Sequence, residues 1–299
     1  MLSVAHISKT FGSVKALDDV SFDVHDGEIM GLIGQNGAGK STTFHSILNF
    51  LQFDGQITFN GQPLSADDYN LIGYLPEERS LMPKLTIAQQ ITYLARLKNQ
   101  PASVTKPKIA PWMAKFAVKG QPNDKINKLS KGNQQKVQLI CTLIHDPQLI
   151  ILDEPFSGLD PVNADLLKQA ILDAKQRGAT IIFSSHDMSN VEEICDSLVM
   201  LRDGQVVLNG TVDDVREQFG RTRLFLTTDW SLDELAALTG VQKVNPLGAH
   251  RYQLLLNDAD AGPAIFAAVT QGEYIQEFSQ QPPTLDEIFR TEAGGEHVE

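Results

Sequence analysis

The nonapeptide GQNGAGKST, residues 34–42, restricts this chain more than any other stretch. It fits the pattern G-x-x-x-x-G-K-[ST] through Gly34, Gly39, Lys40 and Ser41. The apolar run IMGLI precedes it. STTFHSILNFL follows, with Phe44, Ile47, Leu48 and Leu51 spaced to share one helix face. A strand, a glycine-rich turn and a helix in that order make a phosphate-binding loop. The glycines let successive backbone N–H groups curl around an anion, and the helix N-terminus adds partial positive charge. In such a loop Lys40 neutralises β- and γ-phosphate oxygens and Ser41 ligates Mg2+. Asn36, Gly37, Ala38 and Thr42 complete its candidate contacts. A bare glycine turn is the competing reading, and the flanking strand and helix argue against it.

LIILDEP, residues 149–155, supplies the other half of such a site. Asp153 ends a buried strand, where a carboxylate can hold Mg2+ through water. Glu154 comes next and would point at an attacking water, which needs a general base at neutral pH. Four apolar residues before Asp-Glu are a weak signal alone. Behind a glycine loop and ahead of a further strand the signal is strong.

Around these two segments strands alternate with helices. LSVAHIS and VSFDVHDGEIMGLIG read as strands, with a turn at Asp26-Gly27. QITFNGQPL is a strand with an Asn-Gly turn, and SLVMLRDGQVVLNG is a hairpin about Asp203-Gly204. TIAQQITYLARLKNQ, KVQLICTLIH, DLLKQAILDAKQRG and MSNVEEICD read as helices, and ATIIFSSH as a strand. Pro107 and Pro111 predict a break after the first of these helices. The expected fold is α/β with a mostly parallel sheet, an antiparallel β subdomain and a helical insertion at about 78–135. The texture changes past Gly220. RTRLFLTT and RYQLLLN read as strands and LDELAALTG and AGPAIFAAVTQG as helices, so 221–299 is expected to be a small α+β domain. EAGGEHVE reads as a frayed tail.

Composition narrows the partners. The net charge is −12 and no dense basic run exists, which disfavours a nucleic-acid ligand. No apolar run approaches the ~20 residues needed to span a bilayer, so direct bilayer insertion is not expected. MLSVAHISKT lacks the basic-then-apolar pattern of a signal peptide. Cys141 and Cys195 have no CxxC spacing and read as small buried hydrophobes.

LSKGNQQK, residues 129–136, gives the chain a family resemblance. It resembles the LSGGQ signature of the ATP-binding subunits of ABC transporters, which are P-loop NTPases. Leu129, Ser130 and Gly132 match, while Lys131 and Asn133 depart. Further marks occur in the family's order over residues 1 to about 220. Phe11 matches the aromatic that stacks on adenine; the alternative is core packing. GYLPE matches the Q-loop, with Glu77 where Gln is usual. SGLD matches the D-loop, with Asp160 an inter-subunit contact or else a loop cap. His186 in SSHD matches the histidine that contacts the γ-phosphate.

The resemblance implies an ATPase that uses ATP and Mg2+. Glu154, His186 and Glu77 are its catalytic candidates, and Ser41, Asp153 and Glu77 its metal ligands. It also implies that Ser130 and Gly132 reach the nucleotide held by a second copy, or a related ATP-binding subunit, head to tail. A separate transmembrane permease would hold the chain at the inner face of the cell membrane. Residues Leu81 to Leu85 and Tyr93 are candidate permease contacts; the alternative is packing within the insertion. PFSGLDP, LSKGNQQK and the ending PTLDEIFRTE resemble sodium-efflux and antibiotic-efflux subunits, which implies export. The competing function is a soluble ABC-type ATPase acting in assembly, translation or DNA maintenance.

Overall fold

The computed structural model describes residues 1–65, 68–78 and 80–292, and the expected tail at 293–299 lies outside them. The chain divides into two compact units, Met1–Asn209 and Gly210–Glu299.

The first unit is built on two sheets. One is antiparallel, in the order β2 (Val14–Val24), β1 (Leu2–Phe11), β4 (Asp54–Phe59) and β5 (Gln62–Pro63). Leu2 pairs with Val24 and with Phe59, and Val4 with Phe22 and with Ile57, so the alternating apolar residues line up on one face. The other sheet runs β10 (Gln205–Thr211), β9 (Ser197–Arg202), β3 (Ile29–Ile33), β8 (Thr180–Ser185), β7 (Leu149–Leu152), β6 (Ile72–Leu75). Its pairings β9-β3-β8-β7-β6 are parallel. IMGLI and LIIL are buried at every residue, as continuous apolar strands inside a parallel sheet must be. One cluster fuses the layers: Leu2, Val4 and Phe22 meet Leu32, Ile151 and Ile182 around Phe44 and Ile47 of α1 (Lys40–Ile47). The turn at Asp26-Gly27 therefore hands the chain from one sheet to the other rather than closing a hairpin. At Asp203-Gly204 both residues have positive φ (51° and 78°), and the hairpin β9–β10 forms as expected.

The helices include α2 (Ile87–Leu97), α3 (Ala102–Lys115), α4 (Lys131–Leu143), α5 (Pro161–Gln176) and α6 (Met188–Ile194). Thr86 and Gln89 cap α2 reciprocally, a box worth about 1 kcal/mol. The expected proline break does not occur: α3 runs through both Pro107 and Pro111. The two prolines sit four residues apart on the exposed face, opposite the buried stripe Thr105, Ile109 and Met113. The carbonyls that lose their partners, those of Ser103 and Pro107, belong to exposed residues, where water can serve them. The helix after the glycine loop is also shorter than its apolar spacing suggests. It stops at Ile47, Asn49 turns left-handed (φ 53°), and Leu51 falls beyond it.

The second unit begins with α7 (Val212–Glu217). It continues through β11 (Arg223–Thr227), α8 (Leu232–Ala236), β12 (Val241–Gly248), β13 (Arg251–Leu256), α9 (Gly262–Thr270), β14 (Phe278–Gln281) and α10 (Leu285–Glu292). Its antiparallel sheet has the order β12-β13-β11-β14, the split βαββαβ arrangement. Leu224, Leu226, Leu254 and Leu256 pack with Leu235 of α8 and Ile265 and Val269 of α9.

Candidate functional site

In an open α/β sheet, ligands bind beyond the carboxyl ends of the strands. Three neighbouring strands end together here. β3 runs into Gly34, β7 into Asp153-Glu154, and β8 into His186. The cleft they form has a volume of about 390 Å³. It brings together Asn36, Gly37, Gly39, Lys40, Ser41 and Thr42 with Glu77, Asp153, Glu154 and His186.

The glycine loop is held open by close packing beneath it. A Cβ on Gly34 would lie 2.5 Å from the Leu201 carbonyl oxygen. Gly39 has φ 111°, and a Cβ there would lie 2.8 Å from the Ala16 oxygen. Ala38, buried, ties the loop to the β9–β10 turn by accepting from Gly204 N at 3.1 Å. The first bond of α1 runs from Thr43 N to Gly39 O at 2.8 Å. The amides of Lys40, Ser41 and Thr42 thus open the helix without intrahelical partners. Lys40 curls back to donate from Nζ to Gly34 O (2.7 Å) and Gln35 O (3.2 Å). Burial lowers its pKa, while Glu154, Asp153 and Glu77 oppose the shift. One ammonium faces three carboxylates, a balance suited to an added divalent cation. The same carboxylates act on Tyr74: burial first, then Asp153 and Glu77, push its hydroxyl up to about 12.

The acidic pair is fixed from several sides. Asp153 is buried, and its amide donates to Leu75 O at 2.8 Å. Glu154 has φ 47°, a left-handed conformation that costs a non-glycine residue about 1–3 kcal/mol. Its amide donates to Ser184 Oγ (2.8 Å), and its Oε2 meets His186 Nδ1 at 2.8 Å. A half-exposed side-chain contact of this kind returns at most about 1 kcal/mol, so these contacts direct Glu154 more than they stabilise the fold.

Other candidates lie outside this cleft. Phe11 ends β1 and is 46% exposed, and Lys9 Nζ stands 5.1 Å from the ring centroid. Ser130 is exposed and caps α4, accepting from Asn133 Nδ2 (3.0 Å) and Asn133 N (3.4 Å). Gly132 follows in the first turn, where a Cβ would meet nothing. Asp160 caps α5, accepting from Asn163 N at 3.0 Å. Ser157, which lines the cleft, and Ser184, beneath it, were not among the sequence candidates. Ser184 is invisible to motif reading because its contacts come from the pairing of β7 with β8.

Comparison with known proteins agrees with this geometry. Residues 17–157 match the ABC transporter family, and 210–293 match the C-terminal domain of DrrA1-3-like ATP-binding proteins. The uncharacterized ABC transporter ATP-binding protein YhaQ of Bacillus subtilis (strain 168) is 40% identical, over 98% of this chain and 99% of its own length. The linearmycin resistance ATP-binding protein LnrL of the same organism is 29% identical, over 86% and 85%. A solved ATP-binding subunit of an ABC transporter superposes with TM-score 0.70 at 34% identity, covering 78% of this chain and 97% of that one. Phosphate loop, acidic strand end and whole-length kinship converge: this chain belongs to the ATP-binding, ATP-hydrolysing proteins of the ABC transporter family.

Proposed function

We propose that the chain drives export through a separate membrane permease, and that it hydrolyses ATP only when two ATP-binding subunits close head to tail. The observation that carries this reading is a division of labour. The Glu154–His186 pair stands in the cleft of its own glycine loop, whereas Ser130 and Gly132 do not line that cleft. A partner's signature turn is then needed to cover the γ-phosphate.

Within one subunit the loop amides and Lys40 bind the triphosphate, and Phe11 offers its exposed ring to the base. Ser41, Asp153 and Glu77 are the side chains that would hold Mg2+. In this reading the triphosphate shares the Mg2+ with these side chains. When bound, Mg2+ neutralises charge on the phosphate oxygens. Glu154 orients the attacking water and accepts its proton, and His186 holds the Glu154 carboxylate in that direction. Asp160 fixes the start of α5 close to the subunit boundary.

Among the described residues no helix is long and apolar enough to cross a membrane. We assign permease docking to the helical insertion. There a groove of about 810 Å³ is lined by Gln89, Tyr93, Arg96, Leu97 and Lys106, with Leu97 60% and Tyr93 44% exposed. Export follows the resistance function in the name of LnrL. The permease places the chain at the inner face of the cell membrane. Affinity purification from detergent-solubilised membranes tests this. Recovery of a polytopic membrane protein supports it, and recovery of ribosomes or DNA instead would refute it.

A further inference from the structure

Ser184 is fully buried, and its hydroxyl is engaged twice. It donates to Asp153 Oδ1 at 2.7 Å and accepts from Glu154 N at 2.8 Å. The parallel pairing of β7 and β8 produces this contact. Leu149 faces Thr180 and Leu152 faces Phe183, so the next step of the register sets Asp153 beside Ser184. On its other side Ser184 pairs with Leu32, two residues before Gly34. Side chains alternate along a strand, so Ile182 and Ser184 share one face of β8, and His186 follows just past its end. Ile182 anchors that face in the core, and His186 reaches the Glu154 carboxylate. Ser184 and His186 thus grip the Asp-Glu pair at opposite ends: Asp153 Oδ1 and the Glu154 amide below, Glu154 Oε2 above.

We propose that Ser184 is a positioning residue for ATP hydrolysis, its hydroxyl locking the Asp153 carboxylate and the left-handed Glu154 backbone together so that one side chain aims both acidic groups. Ser184 is buried and does not itself line the cleft. With the hydroxyl gone, Glu154 N–H and Asp153 Oδ1 each lose a partner in a buried setting, and neither carboxylate keeps its direction. Nucleotide binding rests on the glycine loop and is untouched. The inference depends on the proposed roles of Asp153 and Glu154.

The test compares Ser184→Ala, Ser184→Thr and Ser184→Val with Glu154→Gln in the full chain. It measures ATP turnover, the half-saturating Mg2+ concentration, and binding of a fluorescent methylanthraniloyl-ATP in EDTA. Ala and Val are expected to lower kcat about 10-fold or more and to raise the Mg2+ requirement, as loss of an outer-shell partner does. Binding in EDTA should stay within about twofold, because uniform binding is unchanged. Thr keeps the hydroxyl and should restore both kcat and the Mg2+ requirement. Thr and Val have nearly the same volume, so their contrast reads the hydroxyl even if Ala fails to fold. Equal kcat and Mg2+ requirement for Thr and Val would overturn the proposal, as would a folded Ala variant that behaves as wild type. Turnover surviving in Glu154→Gln overturns the underlying role of Glu154 and this inference with it. An inactive Glu154→Gln beside an active Ser184→Ala overturns the Ser184 inference alone.

Discussion

His186 Nδ1 meets Glu154 Oε2 at 2.8 Å, with 64% of the histidine side chain exposed but only 11% of the glutamate's. The buried carboxylate is the one held in a fixed direction, and the exposed imidazole that holds it keeps a face open to a third group. His186→Ala should therefore lower ATP turnover by about 100-fold or more, the low end of what positioned acid–base groups contribute. The melting temperature should move by less than about 4 °C, since an exposed pair contributes at most about 1 kcal/mol. Steady-state ATPase assays beside thermal melts check this. Unchanged turnover would show that the pair is only a surface contact.

Two glycines of the phosphate loop should respond differently to the same substitution. At Gly37 (φ 86°) a Cβ meets nothing, and the cost is backbone strain alone. At Gly39 (φ 111°) the same atom lies 2.8 Å from both Ala16 O and Leu17 Cδ2. Gly37→Ala is expected to cost about 1–2 kcal/mol, and Gly39→Ala to cost more and abolish nucleotide binding. Chemical denaturation and nucleotide titration decide between them. Equal losses would mean that crowding beneath the loop is unimportant.

The signature turn offers a contrast of another kind. Ser130 caps α4, while the Lys131 side chain is exposed. Ser130→Arg should reduce turnover by about 10-fold or more, by placing a bulky cation where the proposed dimer sets the partner's γ-phosphate, and leave nucleotide binding to the separate subunit intact. Lys131→Gly should reduce turnover less. Parallel ATPase and binding measurements on the two variants test this, and equal losses would contradict it.

Stability should fall in mild acid because of His145. The residue is buried, its Nε2 lies 3.3 Å from Ile72 O, and Nδ1 has no hydrogen-bond partner among the described residues. Burial, only partly offset by the Ile72 carbonyl, pushes its pKa down to about 4 from the ordinary 6.5. Between those values the unfolded chain binds a proton that the native chain does not. Native stability is therefore lost as pH falls from about 6.5 towards 4, by about 2 kcal/mol between pH 7 and 5. Urea unfolding of wild type and His145→Gln over this range should show the steeper slope in wild type. Identical slopes would remove His145 as the cause.

The parts of the site visible in the sequence are those in which one contiguous stretch carries both the element and its chemistry. Gly34–Thr42 and Leu149–Glu154 are of this kind, and each sits at a strand end in the cleft. The rest depends on pairing across the fold. Ser184 acquires its partners only through the β7–β8 register. Pro107 and Pro111 could be tolerated in a helix only because packing buries the opposite face. β12 and β14 carry Val-Gln-Lys-Val-Asn-Pro and Phe-Ser-Gln-Gln, polar strands whose pattern gives little signal before β11 and β13 are in place. Likewise α7, Val212–Glu217, belongs to the second unit although the change in texture is first evident past Gly220.

The most direct measurement is the size of the Glu154→Gln protein, whose wild-type chain is 32.9 kDa, by gel filtration with light scattering in saturating Mg-ATP. With hydrolysis blocked and the cleft otherwise intact, the account predicts a particle of twice that mass that keeps bound ATP and falls apart when the nucleotide is removed. A nucleotide-loaded variant that stays monomeric under these conditions would contradict the head-to-tail closure on which the proposed function rests.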